Sequence, residues 1–303
     1  MKKTGIYLML LLVSLALWSC NEDEPGSESI FKDSTAPQTD FDRWLLSNYT
    51  YPYNIMFKYK MQDIESNKDF ELAPATADKS VAMAKLLKYI WLETYEEVRG
   101  IDFVRTYSPK VIHLIGSGGY NSNNSVILGT AEGGMKITLY DVNDLNPENV
   151  DLVRFQSYMK TIFHEFSHIL HQNKNYPLDF GELTKNDYVQ ADWSESTETL
   201  ALAYTKGFVS RYARKEPNED FVEMISIYVV YGQQNWDAIL REAAKDENGA
   251  LVTVGESGAD IINRKLEIVK QYLRDSWSID LNELRRVFEI RLASIDQLDL
   301  THL

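Results

Sequence analysis

One segment constrains the fold of this chain more than any other, the stretch TIFHEFSHILHQ within residues 152–173. It contains three of the chain's five histidines. At about 100° per residue, a helix here has an unbroken apolar stripe on one side and the histidines on the other. The stripe consists of Phe155, Met159, Ile162, Phe163, Phe166, Ile169 and Leu170. Such a helix needs a protein core on one side and a cleft on the other.

The histidine side of this helix contains a metal-binding pattern. His164 and His168 are four residues apart, and Glu165 directly follows the first, which gives H-E-x-x-H. On a helix the two histidines lie about 40° apart around the axis and about 6 Å apart along it. They can bind one zinc ion, and the glutamate can reach a water molecule on that ion. The alternative is a chance match, because three fixed residues recur in roughly one such chain in a hundred.

His171 shares the histidine side but lies about 10.5 Å along the axis from His164. Zinc–nitrogen bonds are about 2.0–2.1 Å long, so one ion cannot easily bind both residues. The third histidine of the metzincin pattern would fall at position 174, which is Lys174. We therefore expect His171 to orient a ligand, to contact substrate or to lie on a solvated face.

The third zinc ligand is expected to be a carboxylate. A catalytic zinc usually has three protein ligands and one water, and beyond His168 the chain offers only His171 and His302. The candidate acids are Glu182, Asp187, Asp192, Glu195, Glu198, Glu219 and Glu223.

Residues 217–231 predict a helix that begins at Pro217. Glu219 and Glu223 share one side of it, opposite an apolar side. Glu219 could bind zinc, and Glu223, one turn later, could orient a ligand histidine. The alternative is an acidic first turn that only offsets the helix dipole. A helix expected from residue 192 keeps Glu195 and Glu198 open as the third ligand.

Predicted strands come early in the chain and predicted helices later, which indicates an α+β protein. An amphipathic helix is expected over 76–98, with Thr76 or Asp78 as its cap. Short strands are expected near 54–60, 110–117 and 125–140, with Gly133-Gly134 at a bend. Later helices are expected over 192–207, 217–231, 235–245, 258–275 and 281–293. We expect one domain over 41–303, with an N-terminal α/β part to about residue 175 and a helical part over 176–303.

The N-terminus predicts a lipoprotein signal. A basic start precedes an apolar run over 6–18, which is too short to span a bilayer as an ordinary helix. The ending LWSC fits a bacterial lipobox, so we expect residues 1–19 to be removed and Cys20 to be lipidated, unless Cys20 simply belongs to an ordinary signal peptide. Residues 20–40 predict a flexible tether. A single cysteine excludes a disulfide within the chain.

Charge and composition narrow the classes of partner. The chain has 31 Lys and Arg against 45 Asp and Glu, a formal net charge of −14. Such a chain repels phosphate backbones, so we expect no nucleic-acid partner. A hydrophobic content of 44% suits a globular protein with a substantial core.

The stretch HEFSHILHQ, followed downstream by GFVSRYARKEPNEDFVEMIS, resembles the substrate-import-associated zinc metallohydrolase lipoproteins. These are encoded beside SusC/SusD-type outer-membrane uptake systems. The resemblance covers most of the chain after the signal, and GTAEGGMKITLY is similar to the family's edge strand beside the cleft. It implies a zincin-like fold and lipid anchoring in the outer membrane. The acidic NEDE after Cys20 resembles a surface-export signal of Bacteroidetes lipoproteins, or it is a solvated linker.

A remoter similarity to the anthrax lethal factor peptidases rests on two spacings. Tyr212 lies seven residues before Glu219, and Glu223 lies four after it. This similarity implies zinc ligation by His164, His168 and Glu219, with Glu165 as the base and Tyr212 as the transition-state donor.

These residues predict a zinc metallopeptidase that acts on peptides or glycoproteins. In such sites zinc polarises the scissile carbonyl and lowers the pKa of its water. Glu165 would move the proton to the leaving amine, and Tyr212 would stabilise the oxyanion. The strand near Lys136–Tyr140 is expected to bind an extended peptide, and the loops 116–124 and 173–192 to set specificity. The alternatives are a non-catalytic zinc-binding accessory lipoprotein of a SusC/SusD-type import complex, and hydrolysis of a non-peptide amide.

Overall fold

The computed structural model describes residues 38–62, 70–120, 126–127, 129–132 and 134–303. The predicted signal peptide over 1–19, the lipidation site Cys20 and nearly all of the tether lie outside these residues. Thr39–Leu303 form one compact unit. Within the described ranges, no helix combines the length and apolar character needed to cross a bilayer.

The described strands are short and come from the first half of the chain. They are β1 (Met56–Lys58), β2 (Val111–Leu114), β3 (Gly119–Tyr120), β4 (Val126–Ile127), β5 (Gly129–Glu132) and β6 (Lys136–Leu139). Four of them form a mixed sheet in the order β1-β2-β6-β5. β1 and β6 run parallel to β2, whereas β5 runs antiparallel to β6. β3 and β4 form a separate antiparallel pair.

The expectation that the strand near Lys136–Tyr140 binds an extended substrate is wrong. β6 is paired on both sides, with β2 and β5, so its backbone hydrogen-bonding groups are engaged. Among the described strands, β5 is the one at the border of the sheet on this side.

Gly129 lets β5 approach the helix that contains the histidines, Leu152–Asn173. A Cβ atom at Gly129 would lie only 2.9 Å from Cγ2 of Thr161, so a larger residue there would clash with that helix.

Helices dominate the second half, which confirms the α+β class. In chain order they are α1 (Asp40–Leu45), α2 (Tyr51–Tyr53), α3 (Ala77–Leu87), α4 (Glu93–Arg99), α5 (Ile101–Tyr107), α6 (Leu152–Asn173), α7 (Asp179–Glu182), α8 (Leu200–Thr205), α9 (Pro217–Val230), α10 (Gly232–Ala243), α11 (Gly258–Trp277) and α12 (Leu281–Ala293). π-helical turns occupy Leu46–Thr50 and Lys88–Leu92. The second turn interrupts the helix predicted over 76–98.

The helix predicted over 192–207 is wrong. The structure has a 3-10 helix at Gln190–Ser194, then an irregular segment, and α8 begins only at Leu200. Thr199 caps α8, because its Oγ1 accepts a hydrogen bond from the backbone nitrogen of Leu202 at 3.1 Å. The intervening Ser and Thr residues favour such local hydrogen bonds over a helix interior.

The apolar stripe of α6 is buried, as the sequence predicts. Phe155, Phe163 and Phe166 are at most 1% exposed. The ring of Tyr95 lies 5.4 Å from that of Phe163 and 4.7 Å from that of Phe166, measured between centroids. α6 also packs against α9, and this places its histidines at an interface between two helices.

A buried ion pair connects α9 to α11. Lys265 and Asp220 are both fully buried, and their Nζ and Oδ2 atoms are 2.6 Å apart. Lys265 also donates to the carbonyl oxygen of Gly207, and Tyr188 donates to Asp220. Burial lowers the pKa of Lys265 and raises that of Asp220, because both charges have left water.

We expect Lys265→Met to destabilise the protein by about 3–5 kcal/mol, because it leaves the buried Asp220 carboxylate without its cation. The free energy of unfolding in urea measures this loss. Lys185→Met is the matched control, since the Lys185–Glu182 pair is 60% and 63% exposed and should not shift the urea midpoint. Equal midpoints for the parent and Lys265→Met would show that the ion pair contributes no net stability.

Candidate metal centre

The candidate site is formed where α6 packs against α9. α6 begins after Asp151, whose Oδ1 accepts hydrogen bonds from the backbone nitrogens of Val153 and Arg154 at 3.0 and 3.1 Å. α9 has Pro217 at its start, as predicted, and a 3-10 helix at Tyr212–Arg214 directly precedes it. The two helices bring together groups that are 51 and 55 residues apart in sequence.

Three donor atoms from these helices form a triangle. Nε2 of His164 lies 3.1 Å from Oε2 of Glu219 and 3.2 Å from Nε2 of His168. Nε2 of His168 lies 3.2 Å from the same Oε2. Within the described part of the chain, this is the one group of three or more His, Cys, Asp or Glu side chains that could hold a metal ion.

The spacing of the triangle fits a tetrahedral metal. Ligands about 2.0–2.1 Å from a tetrahedral zinc are about 3.3 Å apart. The measured separations of 3.1–3.2 Å are close to that value. Two imidazoles and one carboxylate are also a donor set that catalytic zinc sites use. The side chains therefore fit a zinc ion without rearrangement.

The outer nitrogen of each histidine is engaged as well. Nδ1 of His164 lies 2.7 Å from Oε1 of Glu223, and Nδ1 of His168 lies 2.9 Å from Nε2 of His171. Burial and the nearby charge of His168 lower the pKa of His171 to about 4. A neutral His171 can accept a hydrogen bond from Nδ1 of His168 through its Nε2. The rings of His164 and His168 thus both direct Nε2 into the triangle. His171 contacts the outer nitrogen, Nδ1, of His168.

Glu219 has its second oxygen held by two donors. Its Oε1 accepts hydrogen bonds from the Tyr212 hydroxyl and the Lys215 ammonium, each at 2.8 Å. Burial raises the pKa of Glu219, but its contacts with the two histidine rings and the hydrogen bonds from Lys215 and Tyr212 outweigh this and lower it far below its usual range. Burial and the neighbouring Glu219 raise the pKa of Tyr212, so its hydroxyl stays protonated as a donor.

Glu223 is held in a similar way although it is 1% exposed. Its Oε1 is shared by His164 and the Lys160 ammonium, and its Oε2 accepts a hydrogen bond from the Ser210 hydroxyl at 2.6 Å. Burial raises the pKa of Glu223, but Lys160 and His164 outweigh this and lower it to about 2. The carboxylate is therefore ionised at neutral pH.

Glu165 differs from the other two glutamates. It lies next to His164 on α6 and is half-buried. No described residue forms a hydrogen bond or an ion pair with its carboxylate. Its oxygens are therefore available to a water molecule.

The alternative third ligands do not reach the histidines. Glu195 is exposed, and its contacts run through its backbone, where the carbonyl oxygen accepts a hydrogen bond from the Arg211 guanidinium at 2.8 Å. The carboxylate of Glu198 is paired with the buried guanidinium of Arg214. Both lie in the segment that was wrongly predicted as one helix.

Sequence reasoning missed three residues that contact the site: Lys160, Ser210 and Lys215. One of them had a usable signal, because Lys160 lies four residues before His164 on the helix predicted there. Residues four apart on a helix share a side, so Lys160 had to be near His164. Ser210 and Lys215 had no such signal, since both precede α9 and their contacts depend on how the chain folds before that helix.

Comparisons with known proteins identify a family described as zinc-binding. A sequence profile of the family described as "putative zinc-binding metallo-peptidase" matches residues 34–282. A crystal structure of a protein from Bacteroides caccae with that same description is 42% identical, covers 90% of this chain and 99% of its own, and superposes with a TM-score of 0.74. Among curated proteins, none matches significantly. Since the profile match spans most of the length of this chain, the chain belongs to this metallo-peptidase family.

Proposed function

We propose that this chain is a zinc-dependent peptidase in which Glu165 is the general base. The observation that carries the proposal is the triangle of His164, His168 and Glu219 beside a glutamate that has no described partner. Two imidazole donors favour zinc over harder cations such as magnesium or calcium. When bound, zinc supplies Lewis-acid polarisation of the scissile carbonyl and lowers the pKa of a water molecule.

The side chains around the triangle have separate tasks in this proposal. Glu165 accepts a proton from the attacking water and passes it to the leaving amine. The Tyr212 hydroxyl, which donates to Glu219 at 2.8 Å in this structure, would turn from that carboxylate and donate to the carbonyl oxygen as negative charge develops there. Glu223 and His171 keep the ligand rings oriented through their outer nitrogens.

The border strand β5 supports a peptide as the substrate. β5 runs antiparallel to β6, whereas the β1–β2 and β2–β6 pairs are parallel, and β5 lies against α6. We propose that this arrangement is zincin-like. An extended peptide can add to such a border through backbone hydrogen bonds. Gly129 permits the close contact with Thr161 one turn before Glu165, so a peptide added there would pass near the base.

Metal removal tests the proposal. We expect one zinc per chain by elemental analysis, and cleavage of a peptide library that disappears after chelator treatment and returns when zinc is added. Magnesium added at the same concentration is the control and should not restore cleavage, because it prefers oxygen ligands. Protein purified without chelator that contains no zinc would contradict the proposal.

A further inference from the structure

Lys160 lies one helical turn before His164, and both reach one carboxylate oxygen of α9. The Lys160 ammonium forms an ion pair with Oε1 of Glu223, and Nδ1 of His164 lies 2.7 Å from that same atom. The other oxygen of Glu223 accepts from Ser210 at 2.6 Å. Both oxygens of this buried carboxylate are therefore held, one by α6 and one by the segment before α9.

The contact differs from an ordinary surface ion pair. The side chain of Glu223 is 1% exposed, and that of Lys160 is 25% exposed. A carboxylate in such surroundings needs a charged partner, because water cannot solvate it. A metal-binding histidine is neutral, so among the described contacts of Glu223 only Lys160 has a full positive charge. An exposed pair, by comparison, usually contributes little.

We propose that Lys160 is a positioning residue for the metal site, which it serves by holding Glu223 where that carboxylate orients His164. Ser210 serves the same purpose from the opposite side of the carboxylate. Without Lys160, Oε1 of Glu223 keeps only its contact with His164, and the carboxylate loses the positive charge that balances it. The His164 ring then loses the constraint on its outer nitrogen, and Nε2 is no longer held in the triangle. This inference rests on the proposed zinc site but not on peptidase activity.

Zinc affinity tests the inference directly. The whole chain is freed of metal, and its zinc dissociation constant is measured by competition with a chromogenic chelator. We expect Lys160→Met to weaken zinc binding by about 10-fold or more, the usual effect of losing a partner of a metal ligand. Lys160→Arg, which keeps the charge, should restore most of the affinity. Lys185→Met, at an exposed pair, should bind like the parent.

Ser210→Ala provides a second, milder measurement if Lys160→Met does not fold. It removes one hydrogen bond to Glu223 and leaves the charges intact, and we expect a loss of about 3- to 10-fold in zinc affinity. Melting curves of the metal-free variants check that the fold is retained.

Two outcomes would overturn the inference, and they are distinguishable from failure of the zinc site itself. In the first, the parent binds zinc but folded Lys160→Met and Ser210→Ala bind it equally well. In the second, Lys185→Met loses as much affinity as Lys160→Met. A parent that binds no zinc would instead remove the proposed function, and this inference with it.

Discussion

Glu165→Gln is expected to lower kcat for peptide cleavage by about 10³-fold while zinc stays bound at one ion per chain. Glutamine has nearly the same shape as glutamate but cannot accept the proton of the attacking water. The three metal donors are separate side chains, so their triangle should remain. Steady-state kinetics on a peptide that the parent cleaves, together with zinc analysis of the same preparation, measure both effects.

The control for this variant is Glu182→Gln, at a side chain that is 63% exposed and forms a surface ion pair with Lys185. It should keep parental kinetics. If Glu165→Gln cleaved peptides at the parental rate, Glu165 would not be the base. If it lost cleavage yet supported full biological function, the accessory-protein alternative would be favoured over the enzyme.

Glu219→Ala is expected to remove zinc binding. It deletes one of three donor atoms, and the loss should exceed the about 10- to 100-fold that follows loss of a ligand's partner. The variant also leaves Tyr212 and Lys215 without their shared acceptor. Elemental analysis of protein purified without chelator, and the zinc dissociation constant by chelator competition, give the result.

Glu195→Ala is the matched control, because the sequence left Glu195 open as an alternative third ligand but the structure places it at an exposed position. It should retain one zinc per chain. The reverse pattern, with zinc kept in Glu219→Ala and lost in Glu195→Ala, would show that the third ligand is assigned wrongly.

The local part of the site could be predicted from the sequence because it depends on helix geometry alone. The pattern of apolar residues over 152–173 predicts both α6 and its buried side, and the structure has that helix at Leu152–Asn173. His164 and His168 are one turn apart, so any helix here brings their rings together. No information from elsewhere in the chain is needed for that step.

The remainder of the site required contacts between distant segments. Spacing left Glu219, Glu195 and Glu198 open as the third ligand, and only the packing of α9 on α6 brings Glu219 to the histidines. The roles expected for Lys136–Tyr140 and for the helix over 192–207 failed for related reasons. Strand order depends on a partner far along the chain, and a run rich in Ser and Thr can form turns as readily as a helix.

The sequence by itself therefore determined the α+β class, the histidine helix and the pair of imidazoles on it. The tertiary structure decided the carboxylate that completes the triangle, the border strand beside it, and the contacts of Lys160 and Ser210 with Glu223. The physical reason is how far apart in sequence the interacting residues lie. Helical periodicity is set within one or two turns, whereas the packing of α6 on α9 depends on how the whole core fits together.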